Sequence, residues 1–260
     1  MHFGNSERTH DLLYVTEDQF SIPKEYFKET ISIIQTLYPC SDSGLRLLDI
    51  GCAAGDFLRY ASSVLTDIEF AFYGTDVIPE LINEAKKRLP TGIFTVSDIT
   101  DPQISLAKIN NTQFDVITML GVHSIVDDIT CIERILEALA PNGCAILYGI
   151  FNPMPYDVLI RVKKSGETDQ EPGWNVHSQK TVSELVSGKG FIASFIDYEP
   201  NIMIPIDLKD YLRTWTIKLG VNGNEIPESN RKHLFTNATR IIHDWSFCII
   251  SKTPKSFNAV

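Results

Sequence analysis

Long apolar runs are missing from this chain of 260 residues, and so is any excess of bases. No stretch reaches the ~18 consecutive apolar residues of a membrane-spanning helix, so no span and no membrane partner are expected. Bases number 23 against 33 acids, a net charge of −10. Proteins that neutralise nucleic-acid phosphates usually carry a basic face. Only short clusters occur here, Arg161-Val162-Lys163-Lys164 and Arg231-Lys232-His233, each suited at most to one phosphate on a small ligand. Nucleic acid is therefore not an expected partner. Cysteine is scarce: Cys40, Cys52, Cys131, Cys144 and Cys248 form no Cys-x-x-Cys pair. An odd count without that spacing argues against a disulfide framework and a zinc site, and for a reducing compartment. The opening MHFGNSERTHDLLYV lacks the cationic start and apolar run of a signal peptide. A cytoplasmic protein is expected.

What is present is an alternation of strand and helix from about residue 45 to 150. LRLLDI, EFAFYGTDV, GIFTVSDI, FDVITML and CAILYGI read as five buried strands. Helical spacing separates them: Phe57, Leu58, Ala61, Val64 and Leu65, then Leu81, Ile82, Ala85 and Leu89 behind Pro79, then Ile129, Ile132, Leu136 and Leu139. Asp127 or Asp128 would cap the third of these helices, and Pro141-Asn142-Gly143 would stop it. Such alternation predicts an α/β fold, a doubly wound, mostly parallel Rossmann-like sheet covered on both faces. An amphipathic helix is expected over 23–38, with Tyr26, Phe27, Thr30, Ile31, Ile34 and Leu37 inward. Beyond the core, a helix is expected near Tyr156–Lys163 and another over Ser178–Ser187, ended by Gly188. GFIASFIDY and SFCIISK read as two late strands. One domain spanning 1–260 is expected, with an N-terminal helical lid (1–40), a cofactor-binding core (45–150) and a cap insertion (200–240).

The chemistry gathers at strand ends. After the first strand, DIGCAAGDF places Asp49 before Gly51, Cys52 and Gly55. Ligands of open α/β sheets bind beyond the carboxyl ends of the strands, where strand order reverses. Glycines there let backbone turn and approach a ligand. Asp76, followed by Val77, ends the second strand, where a carboxylate can accept both hydroxyls of a ribose. Asp98 and Ile99 follow the third and suit an adenine, acid to amino group and side chain to ring. The Gly-x-Gly-x-x-Gly spacing that brings backbone to a pyrophosphate is absent. Asp49 would repel a pyrophosphate and suits an ammonium group. An adenosine bearing an amine is thereby implied, and S-adenosylmethionine fits.

With these motifs in this order, Leu45 to about Ile150 resembles the class I S-adenosylmethionine-dependent methyltransferases. LLDIGCAAG matches their first motif, Asp76 the acid of the second, SDI the third, and FDVITMLGVHSIVDD the fourth and its sequel. The resemblance implies an antiparallel seventh strand, supplied by SFCIISK, contact of Leu120 with the cofactor, and an N-terminal helix that closes over it. Ala53 stands where many relatives have glycine. GWNVHSQKTVSELVSGKGF resembles, more weakly, methyltransferases of bacterial surface sugars and nucleotide sugars.

Transfer to a hydroxyl oxygen needs a proton acceptor. His123, just past the fourth strand, is the first candidate and His177 the second, with His233 and His243 behind them. Arg161 and Arg213 could grip an acidic acceptor. Tyr14, Phe20, Trp174 and Trp215 could wall its pocket. No metal is expected: helix capping accounts for Asp127 and Asp128. The expected enzyme methylates an oxygen of a small polar acceptor of surface polysaccharide synthesis, releases S-adenosylhomocysteine, and is a monomer or homodimer. An aminopropyl transferase, a nicotinamide-dependent oxidoreductase and a non-catalytic cofactor-binding protein are the competing readings.

Overall fold

The computed structural model describes residues 11–39, 44–106, 109, 112–126, 129–153, 155–163, 165–166, 168, 170–172, 175–198, 235–236, 239–240 and 245–254. Five strands, β1 (Leu45–Ile50), β2 (Phe70–Asp76), β3 (Ile93–Val96), β4 (Phe114–Leu120) and β5 (Leu139–Asn152), run parallel. β6 (Ile192–Tyr198) and β7 (Trp245–Ser251) continue the sheet in the order β3-β2-β1-β4-β5-β7-β6, and His177–Ser178 pairs parallel to the end of β5 as an eighth strand. β7 is antiparallel to both of its neighbours, as the resemblance implied. Strand order reverses between β1 and β4, so the ligand crevice of such sheets lies above that pair.

Alternation along each strand feeds two cores. Leu48 of β1 and Leu147 of β5 face the layer filled by α4 (Cys131–Ala138) and α5 (Gln179–Ser187). Leu47, Val116 and Ile146 face the layer filled by α1 (Glu25–Leu37), α2 (Asp56–Val64) and α3 (Pro79–Arg88). On α1, Phe27, Thr30, Ile31, Ile33 and Ile34 are buried. Burying each of its large apolar side chains stabilises by about 1.5–3 kcal/mol. Tyr38 pins the far end, donating to the Asp115 carbonyl at 2.8 Å. Ser178 caps α5: its Oγ accepts from the Thr181 amide at 2.9 Å.

Three local expectations are corrected. Tyr156–Lys163 is not a helix: Val158 bridges Val176, and Arg161–Val162 pairs antiparallel with Glu171–Pro172. Pro141-Asn142-Gly143 lies within β5 as a bulge, because the register shifts between Phe114↔Leu139 and Val116↔Cys144. Leu139 therefore opens β5, and α4 ends at Ala138. Asp127 and Asp128 lie outside the described residues, and Thr130 holds the N-cap position of α4 without a side-chain bond. Of the expected cap, only Phe235–Thr236 and Thr239–Arg240 are described, and they pair with each other. The connection 199–244 leaves from Tyr198 and returns at Trp245, two residues paired across β6 and β7. Both lie at the edge where β5 ends, the edge that also carries the loop after β1.

Candidate functional site

The loop after β1 is shaped by left-handed backbone. Gly51, Ala53 and Gly55 have φ of 72°, 46° and 80°. An alanine in that region is strained, and a glycine there would not be. A Cβ on Gly51 would lie 2.2 Å from Val122 Cγ2, in the segment after β4. The two walls of the crevice therefore meet at a residue without a side chain. The Gly51 and Cys52 amides donate to the Thr75 carbonyl at 2.8 and 2.9 Å, fastening the loop to β2. Cys52 is buried, with Sγ against Gly74.

Asp49 is 3% exposed. Thr118 Oγ1, on the neighbouring strand, donates to its Oδ1 at 2.7 Å. Burial pushes the Asp49 carboxyl up to about 7; the Thr118 bond opposes this and the Asp76 charge adds to it. A buried carboxylate with one neutral donor is poorly compensated and gains from a cation. Asp76 is more fully engaged. Its Oδ2 accepts from the Ala53 amide at 2.9 Å and its Oδ1 from the Ile78 amide at 3.0 Å. It thus locks the loop after β1 to the turn that starts α3, with Val77 half-buried between them. Asp98 Oδ1 accepts from the Thr100 amide and hydroxyl at 2.8 and 2.6 Å, closing its own turn. Ile99 belongs to the core layer with Leu106 and Val126, so this structure buries the side chain expected against an adenine. Leu120 is half-buried at the end of β4, before Gly121.

Asp49, Gly51, Cys52, Gly55 and Asp76 thus form one constellation. The histidines form another, and it is internal. His123 is 1% exposed, stacked on Phe151 with centroids 4.5 Å apart and planes 2° apart. Its Nε2 lies 3.4 Å from Ser124 Oγ, and its Nδ1 makes no well-formed hydrogen bond among the described residues, though the Ile150 backbone weakly favours the charged ring. Burial, helped by the neighbouring His177, lowers its pKa to about 3. His177 is also buried, with Nε2 3.4 Å from the Val126 carbonyl. The expected base at an open mouth is therefore a neutral ring under the β5 edge. Asn175, absent from the expectations, stitches these segments: its amide donates to the Ser124 carbonyl at 2.6 Å and its Nδ2 to the Val126 carbonyl at 3.0 Å.

Aromatic side chains also gather at the carboxyl edge. Tyr148 stacks on Tyr26 at 4.4 Å and on Trp245 at 5.1 Å, and Tyr198 meets it edge-on at 5.4 Å. Burial raises the phenols of Tyr26, Tyr148 and Tyr198, and Asp49 is among the charges that add to the effect on Tyr26. Pattern reading missed this cluster because its members come from α1, β5, β6 and β7. Arg161 is exposed on its hairpin, bonded to the Ile160 carbonyl at 2.9 Å. Tyr14 and Phe20 lie in the segment before α1. Trp174, Arg213, Trp215, His233 and His243 lie outside the described residues.

Asp76→Ala should raise the dissociation constant for S-adenosylmethionine at least ~100-fold by calorimetry. The change removes two charge-assisted bonds that shape the loop, each worth roughly 1.5–3 kcal/mol, as well as the expected ribose acceptor. An unchanged constant would place the ribose elsewhere.

Residues 48–145 match the family described as a methyltransferase domain. No curated protein matches the chain. Several solved structures share its fold at low identity. CalS10, an amino pentose methyltransferase of Micromonospora echinaspora solved with S-adenosylmethionine bound, superposes with a TM-score of 0.53 at 13% identity, over 97% of this chain and 100% of that one. A TehB-like S-adenosylmethionine-dependent methyltransferase of Corynebacterium glutamicum gives 0.54 at 17% identity, over 94% and 99%. A structure of the complex of the Haloferax volcanii Trm112 methyltransferase activator gives 0.59 at 13% identity, over 97% and 100%.

Proposed function

We propose that this chain is a class I S-adenosylmethionine-dependent methyltransferase that methylates an oxygen of a small polar acceptor; the methyltransferase-domain match over residues 48–145 and the shared fold support this. A sugar, a nucleotide sugar or a phosphorylated intermediate of surface polysaccharide synthesis would fit. The observation that carries the reading is the constellation at the switch point: an undercompensated buried acid, a left-handed backbone loop and a second acid on the next strand. These residues fit the cofactor. Asp49 would face its cationic end, Gly51, Cys52 and Gly55 its methionine portion, and Asp76 its ribose; Asp98 and Leu120 would border the adenine. When bound, the cofactor supplies an electrophilic methyl whose leaving sulfur departs neutral.

The protein's part is then alignment and proton handling. Holding the acceptor in line supplies much of the acceleration. In this arrangement neither buried histidine reaches an open site, and His123 at a pKa of about 3 is a weak acceptor of protons. An acceptor oxygen that is already anionic, such as a carboxylate or phosphate oxygen, needs no base. Among the acceptors named above, the burial of both histidines favours one that presents such an anionic oxygen over one that presents only neutral hydroxyls. Tyr26, Tyr148, Tyr198 and Trp245, beside both ends of the 199–244 connection, offer a wall for its apolar face. The proposal takes residues 1–40 as a lid and 200–240 as the acceptor-side cap of a monomer or homodimer. No helix among the described residues is long and apolar enough to cross a membrane. The four cysteines among the described residues are free and buried, which suits a cytoplasmic setting.

A thermal-shift panel tests the cofactor. S-adenosylmethionine and S-adenosylhomocysteine, each at about 100 times the dissociation constant, should stabilise by about 2.7 kcal/mol, or roughly 5–11 °C. Decarboxylated S-adenosylmethionine and NADH should shift little. A larger shift with the decarboxylated donor would favour aminopropyl transfer, and one with NADH would end the methyltransferase reading.

A further inference from the structure

Residues 15–20 cross the start of α2 with little apolar surface of their own. Thr16, Glu17, Asp18, Ser21 and Ile22 are exposed, and among residues 13–22 only Gln19 is buried. What holds this strap is charge. Arg88, at the end of α3, has a side chain only 13% exposed. Its Nη2 donates to the Val15 carbonyl at 2.6 Å and its Nη1 to the Glu17 carbonyl at 3.3 Å. The same Nη1 donates to Asp56 Oδ1 at 2.8 Å, and Nε donates to Glu84 Oε1 at 3.3 Å. Asp56 closes the clamp from the other side: its Oδ2 accepts from the Gln19 amide at 3.3 Å. The Arg59 guanidinium lies 3.9 Å over the Phe20 ring.

Asp56 directly follows Gly55, the last residue of the left-handed loop. The clamp therefore ties the strap to the end of the loop after β1 as well as to the end of α3. Residues beyond the strap continue toward the same site: the Lys24 ammonium lies 5.1 Å from the Tyr14 ring and 5.5 Å from that of Tyr26.

We infer that Arg88 is a positioning residue for the cofactor: by docking residues 15–19 on Asp56 it closes the loop after β1, and release of the strap is the step that lets spent cofactor leave. The inference rests on the methyltransferase reading. A guanidinium is suited to this task because its fork serves two carbonyls and a carboxylate at once, whereas an ammonium is a point charge.

Arg88→Lys keeps a cation beside Asp56 and removes the fork. Removing the charge altogether, as in Arg88→Ala, would strand a buried carboxylate and destabilise the fold, so the lysine variant is the decisive one. Stopped-flow release of S-adenosylhomocysteine should be at least ~10-fold faster in Arg88→Lys, with the association rate within about threefold of the native value. Chymotryptic cleavage at Tyr14 and Phe20 in the unliganded protein should also accelerate ~10-fold, while the melting temperature stays within a few degrees. Release within twofold of native, with cleavage unchanged, would overturn the inference and leave the methyltransferase reading intact. Faster cleavage with unchanged release would make the clamp a structural fastening only and would also overturn it. Failure of the native protein to bind S-adenosylhomocysteine at all would overturn the functional reading itself.

Discussion

Asp49→Asn is expected to stabilise the unliganded protein at pH 8 while weakening its hold on S-adenosylmethionine at least tenfold. The Asp49 carboxyl titrates near 7 in the fold against 3.8 for an ordinary aspartate. Between those values the native state keeps a proton that the unfolded chain has lost. Native stability therefore falls as pH rises from about 4 to about 7, and is level above that. At about 1.4 kcal/mol per pH unit the penalty at pH 8 approaches ~4 kcal/mol. Asparagine cannot ionise, yet its Oδ1 can still accept the Thr118 hydroxyl. The variant should thus melt at nearly the native temperature at pH 4.5 and up to about 10 °C higher at pH 8. A gap that does not change with pH would remove the buried charge from the account. Affinity should show the converse. The native protein should lose cofactor affinity as pH drops below about 7, and the variant should not.

Gly149→Ala should be among the most damaging single methyl additions in the chain. A Cβ there would lie 1.9 Å from His123 Cε1 and within 2.9 Å of both ring nitrogens. The imidazole cannot retreat, because Phe151 lies flat against it. Overpacking of a closed core costs typically 1–3 kcal/mol; displacing a whole ring should exceed that, at about 3–5 kcal/mol. His123→Ala alone opens a cavity and should cost about 2–4 kcal/mol. Together they should compensate, with a coupling of at least ~2 kcal/mol in a denaturation cycle. Additive losses would mean that the ring already has somewhere to go, and would revive its candidacy as a proton acceptor at the mouth.

The parts of this site that are local in sequence were legible there. DIGCAAGDF carries strand, acid and turn in one stretch, and the left-handed φ values at Gly51 and Gly55 are what its glycines predict. The helix read over Ser178–Ser187 is α5, one residue shorter at its start. What escaped depends on depth or on distant pairing. Periodicity places His123 just past β4 but not which way its ring turns; Gly149, a missing side chain on another strand, decides that. The turn residues of Pro141-Asn142-Gly143 read as a stop, yet β4 offers enough partners to draw them into β5 as a bulge. Arg88 reads as one of three bases ending a helix, and only the fold brings it to Val15 and Glu17.

Tyr198 and Trp245 face each other across a strand pair, so residues 199–244 form a closed excursion from two hydrogen-bonded neighbours. The entropy of closing such an excursion changes by only about 0.6 kcal/mol for each doubling of its length. The sheet therefore exerts little selection on how long that segment is or what it contains. On the proposed reading, the donor side would be set by the sheet and the acceptor side by a segment whose length the sheet leaves almost free.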